Sequence, residues 1–226
     1  MRSIFITGTD TGIGKTHASV ALLHALRRRG LRAVGMKPVA SGCEDTPEGW
    51  RNDDALALLD ASDPMPSYEQ VNPLAFADPT TPELAAAMEQ RAITLEPLLR
   101  AFAQLRESAD VVVVEGAGGW LSPWSASLDQ SALVKALDLR VVMVAGLKLG
   151  GISHARLTAR AIVEDGCEFA GWIGNAIDPH QRHPRENFAI LARGLPAPCL
   201  GVLPFAAEGA TSDPDALSVD ALLRDR

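Results

Sequence analysis

Cysteine is the first scarcity. Cys43, Cys167 and Cys199 are the only three in 226 residues. They are odd in number, far apart and without a Cys-x-x-Cys pair. That excludes a disulfide framework and a cysteine-built zinc site, and reads as reduced thiols in a cytoplasmic protein. Positive charge is short as well: 21 Lys and Arg face 28 Asp and Glu, leaving a net charge of −7. Nonspecific nucleic-acid binding needs a basic face, so no nucleic-acid partner is expected. A small local pocket for phosphates remains compatible with that balance. No apolar run approaches the ~20 residues needed to span a bilayer, so no membrane segment is expected. The first residues already belong to a strand-and-loop unit, and no signal peptide is expected before them. Fixed-period repeats and low-complexity linkers are missing too. What remains is a chain that is 47% apolar, of a length that suits one α/β domain over 1–226.

The chain is organised around Ile4-Phe-Ile-Thr-Gly8-Thr-Asp-Thr-Gly12-Ile-Gly-Lys-Thr16. An apolar run ends in a glycine-rich turn that leads straight into a helical pattern, the context a phosphate-binding loop needs. Gly8, Gly12 and Gly14 let the backbone curl its N–H groups towards an anion. The helix start adds its positive dipole end. Lys15 can reach the β- and γ-phosphates, and the Thr16 hydroxyl can ligate Mg²⁺. The usual spacing G-x-x-x-x-G-K-[ST] would place the first glycine at position 9, where Thr9 stands. Gly8 comes one residue earlier, so this loop is one residue longer. The bland alternative is a glycine-rich turn that binds nothing.

Helical spacing predicts a helix over 15–29, ended by Gly30, and strand character over 32–37 puts Lys37 at a strand's carboxyl end. In an open parallel sheet ligands bind at those ends, although a lysine can also snorkel from a sheet edge. Asn52 and Asp53 look like the start of an N-capped helix. Asp54 is either a dipole-complementing acid or a metal ligand. Five prolines over 61–82 predict a surface loop, followed by helices over about 82–90 and 95–108. Asp110-Val-Val-Val-Val-Glu115 reads as a strand buried on both faces, with Glu115 at its end. A buried acid there without a cation would be costly, which suits a metal or nucleotide role. Trp120 and Trp124 are expected to pack under the loop at 120–128. A helix (about 129–138), a strand (140–145), a helix (152–165) and a strand (169–175) follow. Asn175 at that last strand's end suits a purine edge, or merely a turn. Lys148 stands equally well near the site or as a solvated loop lysine. At 150–153, Gly150 and Gly151 bare a helix start that attracts anions, or Ser153 simply caps it. His180 and His183 lie in a polar loop with no acid or cysteine beside them and make a poor metal site. Cys199–Leu203 is the last strand, closed by Pro204, and a weak helix is expected over about 218–224. The βαβα alternation predicts an open, mostly parallel sheet of P-loop NTPase type with helices on both faces. It brings the candidate residues to one edge.

Several stretches together resemble the dethiobiotin synthetase family over nearly the whole chain. They are the Gly8–Thr16 loop with its extra residue, Gly35-Met-Lys-Pro-Val-Ala-Ser-Gly42, Arg51-Asn-Asp-Asp54, Val71-Asn-Pro73, Val114-Glu-Gly-Ala-Gly-Gly-Trp120, Leu147-Lys-Leu-Gly150 and Ala170-Gly-Trp172. The chain departs from the family at Ser153, where members often carry Asn, and over about 178–190. Both departures touch the binding of the substrate's tail. The resemblance implies ring closure of 7,8-diaminopelargonate in biotin biosynthesis, with ATP and CO₂ as co-substrates and Mg²⁺ as cofactor. It implies that Lys37, Lys15 and Thr11 hold a carbamate, with Ser41 and Gly118 also at the substrate. ATP would lie against Gly12, Ile13, Gly14, Lys15, Thr16, Glu115, Gly116, Gly118, Asn175 and Pro204. Thr16, Asp54 and Glu115 would gather the metal. It further implies a homodimer in which Gly150, Gly151 and Ser153 of the neighbouring subunit take the substrate's carboxylate. The competing reading is a dimeric P-loop switch ATPase of the partitioning type. Such proteins carry a second lysine near the loop's start, and Gly8-Thr-Asp10 has none. A cobyrinate-type amide ligase would need a glutaminase domain for which the chain has no room.

Overall fold

In the computed structural model, residues 2–205 and 216–223 are described. In chain order the elements are β1 (Ile4–Gly8), α1 (Lys15–Arg28), β2 (Ala33–Met36), β3 (Val39–Ala40), β4 (Glu44–Thr46), β5 (Gly49–Arg51), α2 (Asp53–Asp60), α3 (Tyr68–Val71), β6 (Leu74–Ala75), α4 (Pro82–Met88), α5 (Leu95–Ser108), β7 (Val111–Glu115), β8 (Pro123–Ser125), β9 (Leu128–Asp129), α6 (Gln130–Ala136), β10 (Arg140–Leu147), α7 (Gly151–Glu164), β11 (Glu168–Ala176), α8 (Pro184–Gly194), β12 (Cys199–Leu203) and α9 (Asp220–Leu223). Six strands form one sheet in the order β12-β11-β10-β1-β7-β2, every neighbouring pair parallel. The chain leaves β1 in one direction for β2 and β7, then in the other for β10 to β12. The strand order therefore reverses at β1, which is where an open α/β sheet forms its ligand crevice.

Strand alternation sorts the side chains onto two cores. Val111 and Val113 face the layer of α1 and α2 together with Ile4, Ile6, Leu22 and Leu58. Val112 and Val114 face the opposite layer with Phe5, Leu98, Phe102 and Ile162. Burying each such aliphatic side chain contributes about 1.5–3 kcal/mol, so the four-valine run commits β7 to the middle of the sheet. The same alternation decides the site. Glu115 continues the Val111–Val113 row and comes out on the α1 side. Gly35 lies opposite α2, where an added Cβ would sit 2.7 Å from Leu58 Cβ. The missing side chain lets α2 lie close to β2.

Both margins of the sheet are occupied. Along β2, the Asp63 N–H donates to Ala33 O at 2.9 Å and the Lys37 N–H to Val71 O at 2.7 Å. The Gly35 N–H between them donates to Ser62 Oγ at 2.9 Å. Along β12, Gly201 bridges to Leu217, and the Ser218 N–H donates to Leu200 O at 2.7 Å.

The expected strands and helices are present to within a few residues, with Trp120 and Trp124 buried under their loop. Three segments differ. The stretch expected as a loop over 61–82 contains α3 and β6, and α3 is nucleated by a capping box between Ser67 and Gln70. Residues 39–42, expected as a loop after Pro38, hold β3, and the β4–β5 hairpin follows over 44–51, where no element was expected. Helix α8 was not expected. It starts with Pro184 at its first turn, and its Phe188 ring lies 5.6 Å from that of Trp172. The tail helix is described over Asp220–Leu223; position 224 of the expected helix lies outside the described residues. The three cysteines are free thiols, as their spacing implied.

Candidate active site

At the carboxyl ends of β1, β2 and β7 a cavity of about 760 Å³ opens, lined among others by Thr11, Gly14, Lys15, Lys37, Ser41 and Asp54. Its floor is the loop after β1. Gly12 and Gly14 have φ of 72° and 79°, a region that costs a residue with Cβ strain. Gly14 is required twice over, because an added Cβ would collide with Asn175 Nδ2. That amide donates to Ile13 O at 2.8 Å, so Asn175 clasps the loop from the end of β11. The Lys15 ammonium reaches back to Asp10 O at 3.1 Å. Burial lowers its pKa, Lys37 adds to the effect, and Glu115, Asp54 and Asp10 oppose it.

Above the floor, two carboxylates converge on one ammonium, and a threonine hydroxyl bridges them. Lys37 Nζ donates to Asp54 Oδ2 and to Glu115 Oε1, both at 2.7 Å. The Thr16 hydroxyl lies 2.6 Å from Asp54 Oδ1 and 2.9 Å from Glu115 Oε1. Burial disfavours the charge on Lys37, but Glu115 and Asp54 outweigh it and raise the pKa above the ordinary lysine value. Asp54 is likewise opposed by burial, then held below the usual carboxylate range by Lys37 and Thr16. The Thr16 hydroxyl has one proton and two carboxylates to serve. Acceptors thus outnumber donors at this spot, and two negative groups touch a single buried ammonium. An excess of hard oxygen with negative charge is the donor set that suits Mg²⁺, so Thr16, Asp54 and Glu115 fit the expected ion.

Residues not singled out in the sequence complete the site. Ser19, fully buried one turn beyond Lys15, places its hydroxyl 2.8 Å from Glu115 Oε2 and 2.9 Å from Lys15 O. The charged acceptor is the stronger of the two, so Ser19 fixes the carboxylate from behind. Gln130 pins the turn after β7, accepting from the Ala117 N–H at 2.9 Å and donating to Gly119 O at 2.7 Å. Gly116 leaves room for that side chain, since a Cβ there would collide with Gln130 Oε1. His17 and Phe205 also line the cavity.

Comparison with known proteins now bears on this geometry. A family profile described as "AAA domain" matches residues 2–210. The protein of Xanthomonas euvesicatoria pv. vesicatoria named ATP-dependent dethiobiotin synthetase BioD is 60% identical over 203 residues, covering 90% of this chain and 91% of the relative. The protein of the same name from Xylella fastidiosa is 54% identical over 209 residues, covering 92% of each chain. The chain belongs to the ATP-dependent dethiobiotin synthetase family. It is therefore an enzyme of the ligase class. Among solved structures, the MinD cell division protein of Aquifex aeolicus aligns with a TM-score of 0.54 at 14% identity, over 90% of this chain and 82% of that one. A ParA family ATPase from Chlorobium tepidum aligns at 0.56 and 14%, over 92% and 87%. At that identity the likeness speaks for the P-loop fold alone.

Not every family-implied residue meets at the cavity. Thr11, Gly12, Gly14, Lys15, Thr16, Lys37, Ser41, Asp54, Gly118 and Asn175 line it. Glu115 lies beneath it, fully buried. Ile13 packs in the α1-side core, and the Gly116 N–H is bonded to Ile6 O at 2.9 Å. Ser41 turns its hydroxyl to Thr80 O at 2.7 Å. Pro204 is exposed while its neighbour Phe205 lines the wall. Gly150, Gly151 and Ser153 stand outside the lining of this cavity, at the start of α7, where Leu149 is 95% exposed. Lys148 pairs with Asp10 at 3.6 Å, next to the phosphate loop. Among the described residues no three His, Cys, Asp or Glu side chains cluster as a metal site, and no helix is long and apolar enough to cross a membrane.

Proposed function

We propose that the chain closes the ureido ring of dethiobiotin on 7,8-diaminopelargonate, using ATP, CO₂ and Mg²⁺. The meeting of Asp54 and Glu115 with both Lys37 and Thr16 above a phosphate loop carries this reading. In it, one substrate amine takes up CO₂ as a carbamate. The γ-phosphoryl group passes to the carbamate, giving a carbamic–phosphoric anhydride. The second amine attacks that carbonyl and expels phosphate.

Each step asks for positioning and charge neutralisation more than for proton shuttling. The loop's N–H groups and Lys15 hold the phosphates at the start of α1. Lys37, kept charged by its carboxylates, faces the anionic carbamate with Thr11 and steadies the charge that builds on transfer. Ser41 and Gly118 border the substrate's path. Thr16, Asp54 and Glu115 would hold Mg²⁺, which supplies neutralisation of phosphate charge. Asn175, with Phe205 and Pro204 near it, lies where the base of the nucleotide would reach.

The diamine's carboxylate remains to be bound, and the cavity of one chain does not include Gly150, Gly151 and Ser153. We infer a homodimer in which α7 of one copy faces the cavity of the other. In that arrangement exposed Leu149, before the helix start, would be covered by the partner copy.

The test mixes the protein with ATP, Mg²⁺, labelled bicarbonate and the diamine, and looks for labelled dethiobiotin. Diamine-dependent product formation is expected. Phosphate release that ignores the diamine would favour the switch-ATPase reading instead.

A further inference from the structure

Two stretches singled out in the sequence, Arg51-Asn-Asp-Asp54 and Val71-Asn-Pro73, meet at the chain's only tyrosine. The Asn52 N–H donates to Tyr68 Oη at 2.8 Å. The Tyr68 hydroxyl donates to Asn72 Oδ1 at 3.1 Å. Asn72 Nδ2 donates to Lys37 O at 2.7 Å and Leu74 O at 3.3 Å. The directions are determined. Both carbonyls need donors, so the amide nitrogen faces them and the amide oxygen faces the phenol. The phenol's one proton then goes to Asn72, and its lone pair serves the Asn52 N–H. Asn52, Tyr68 and Asn72 are all buried, and the Arg51 guanidinium covers the phenol ring at 4.1 Å from its centroid.

These bonds tie the main chain at Lys37 to the N-cap of α2, whose Asn52 side chain also accepts from the Ala55 N–H. Asp54 lies two residues beyond that cap and receives Lys37 Nζ. The main-chain bridge and the side-chain ion pair are therefore parallel links between the same two segments. A buried polar chain is costly when half made, so it favours a single spacing.

We propose that Tyr68, through Asn72 and Asn52, is a positioning residue that sets Lys37 against Asp54 for the reaction. The proposal rests on the reading of Lys37 and Asp54 as parts of the ring-closing site. Tyr68→Phe removes the hydroxyl alone. Asn72→Asp keeps the acceptor for Tyr68 but puts an oxygen where Lys37 O needs a donor. For each folded variant, turnover at saturating substrates should fall about tenfold while ATP affinity stays within about twofold. The double variant should be no slower than the slower single one, because both cut the same chain. Unchanged turnover in both variants, equal losses in ATP affinity and turnover, or losses that multiply would overturn the proposal.

A second arm needs no substrate. Urea unfolding of Tyr68→Phe, Asp54→Asn and the double variant should be non-additive, and additivity would overturn the bridge. With 3-fluorotyrosine at the sole tyrosine, the one ¹⁹F resonance should move in Asp54→Asn, and a fixed resonance would count against it. A wild-type protein that forms no ring product would sink the proposed function, while this arm would still decide the bridge.

Discussion

Helices α1 and α7 begin in the same way and end up with different roles. Each is preceded by a glycine in the left-handed region, Gly14 at φ 79° and Gly150 at φ 85°, without a side-chain cap. Each follows a strand of the same sheet, and those strands, β1 and β10, are neighbours. The start of α1 lies in the floor of the cavity, with Lys15, Thr16, Lys37 and two carboxylates around it. The start of α7 presents exposed Leu149 and Ser153 and no lysine or arginine within its first turn. Bare N–H groups are thus only half of an anion site. The surroundings decide which anion is held and whether chemistry follows, and at α7 the proposed homodimer would supply them from the partner copy.

The largest expected effect breaks the α1 side. Lys37→Ala should lower turnover roughly 10²-fold or more, the scale of losing one preorganised charge-stabilising donor, and leave ATP affinity little changed. Matched losses in both would remove Lys37 from the transfer step. Next comes the support behind the site. Ser19→Ala frees the inner oxygen of Glu115, and the half-saturating Mg²⁺ concentration should rise about tenfold, as for loss of an outer contact to a metal ligand. An unchanged Mg²⁺ titration would show that Glu115 needs no such backing.

The α7 side is tested in the dimer. Ser153 is the better position to obstruct, because a Cβ at Gly151 would collide with Gly146 O and disturb the turn itself. Ser153→Trp should raise KM for the diamine about tenfold while ATP affinity holds, the effect of one blocked carboxylate contact. At low diamine, Ser153→Trp and Lys37→Ala homodimers should both be poor. Random re-pairing makes about half of all dimers mixed, each with one intact site, so activity should recover to about a quarter of wild type. No recovery, with exchange confirmed by mass, would place the tail site within one chain.

The smallest effect lies at the far end of the sheet. Arg32 donates to the exposed carboxylate of Asp110, whose pKa is lowered from 3.8 to about 2. A depressed acid contributes stability above its unfolded pKa and loses it as pH falls through the folded one. The thermal midpoint of wild type should therefore exceed that of Asp110→Asn slightly at pH 5, with the gap closing between pH ~4 and ~2. A gap that widens on acidification would contradict the sign. Turnover at neutral pH should not respond, which separates this end from both helix starts.

What was legible in the sequence was local. Glycines before a Lys-Thr pair and an acid ending a run of valines announce a loop and a strand end within a few residues, and the strand ends carried Lys37, Glu115 and Asn175 to one edge. Ser19 carried no such announcement, because it looks like a helix interior residue and its partner Glu115 is 96 positions away. Asn72 meets the Lys37 carbonyl across 35 positions, and Gln130 reaches Ala117 across 13. Helix α8 could have been found from Pro184 and the spacing of Phe188 and Leu191. Segment 61–82 was masked by its prolines, although Ser67 and Gln70 spell a capping box.

The covered margins of the sheet have one further consequence. An open β-edge is a template on which another chain can extend the ladder, and proteins that leave one bare risk runaway association. Here Ser62, Asp63 and Val71 occupy the β2 side, and Leu217 and Ser218 the β12 side. Growth of the sheet from copy to copy is blocked in both directions. The proposed homodimer would then form on helix faces, where symmetry closes a pair and stops.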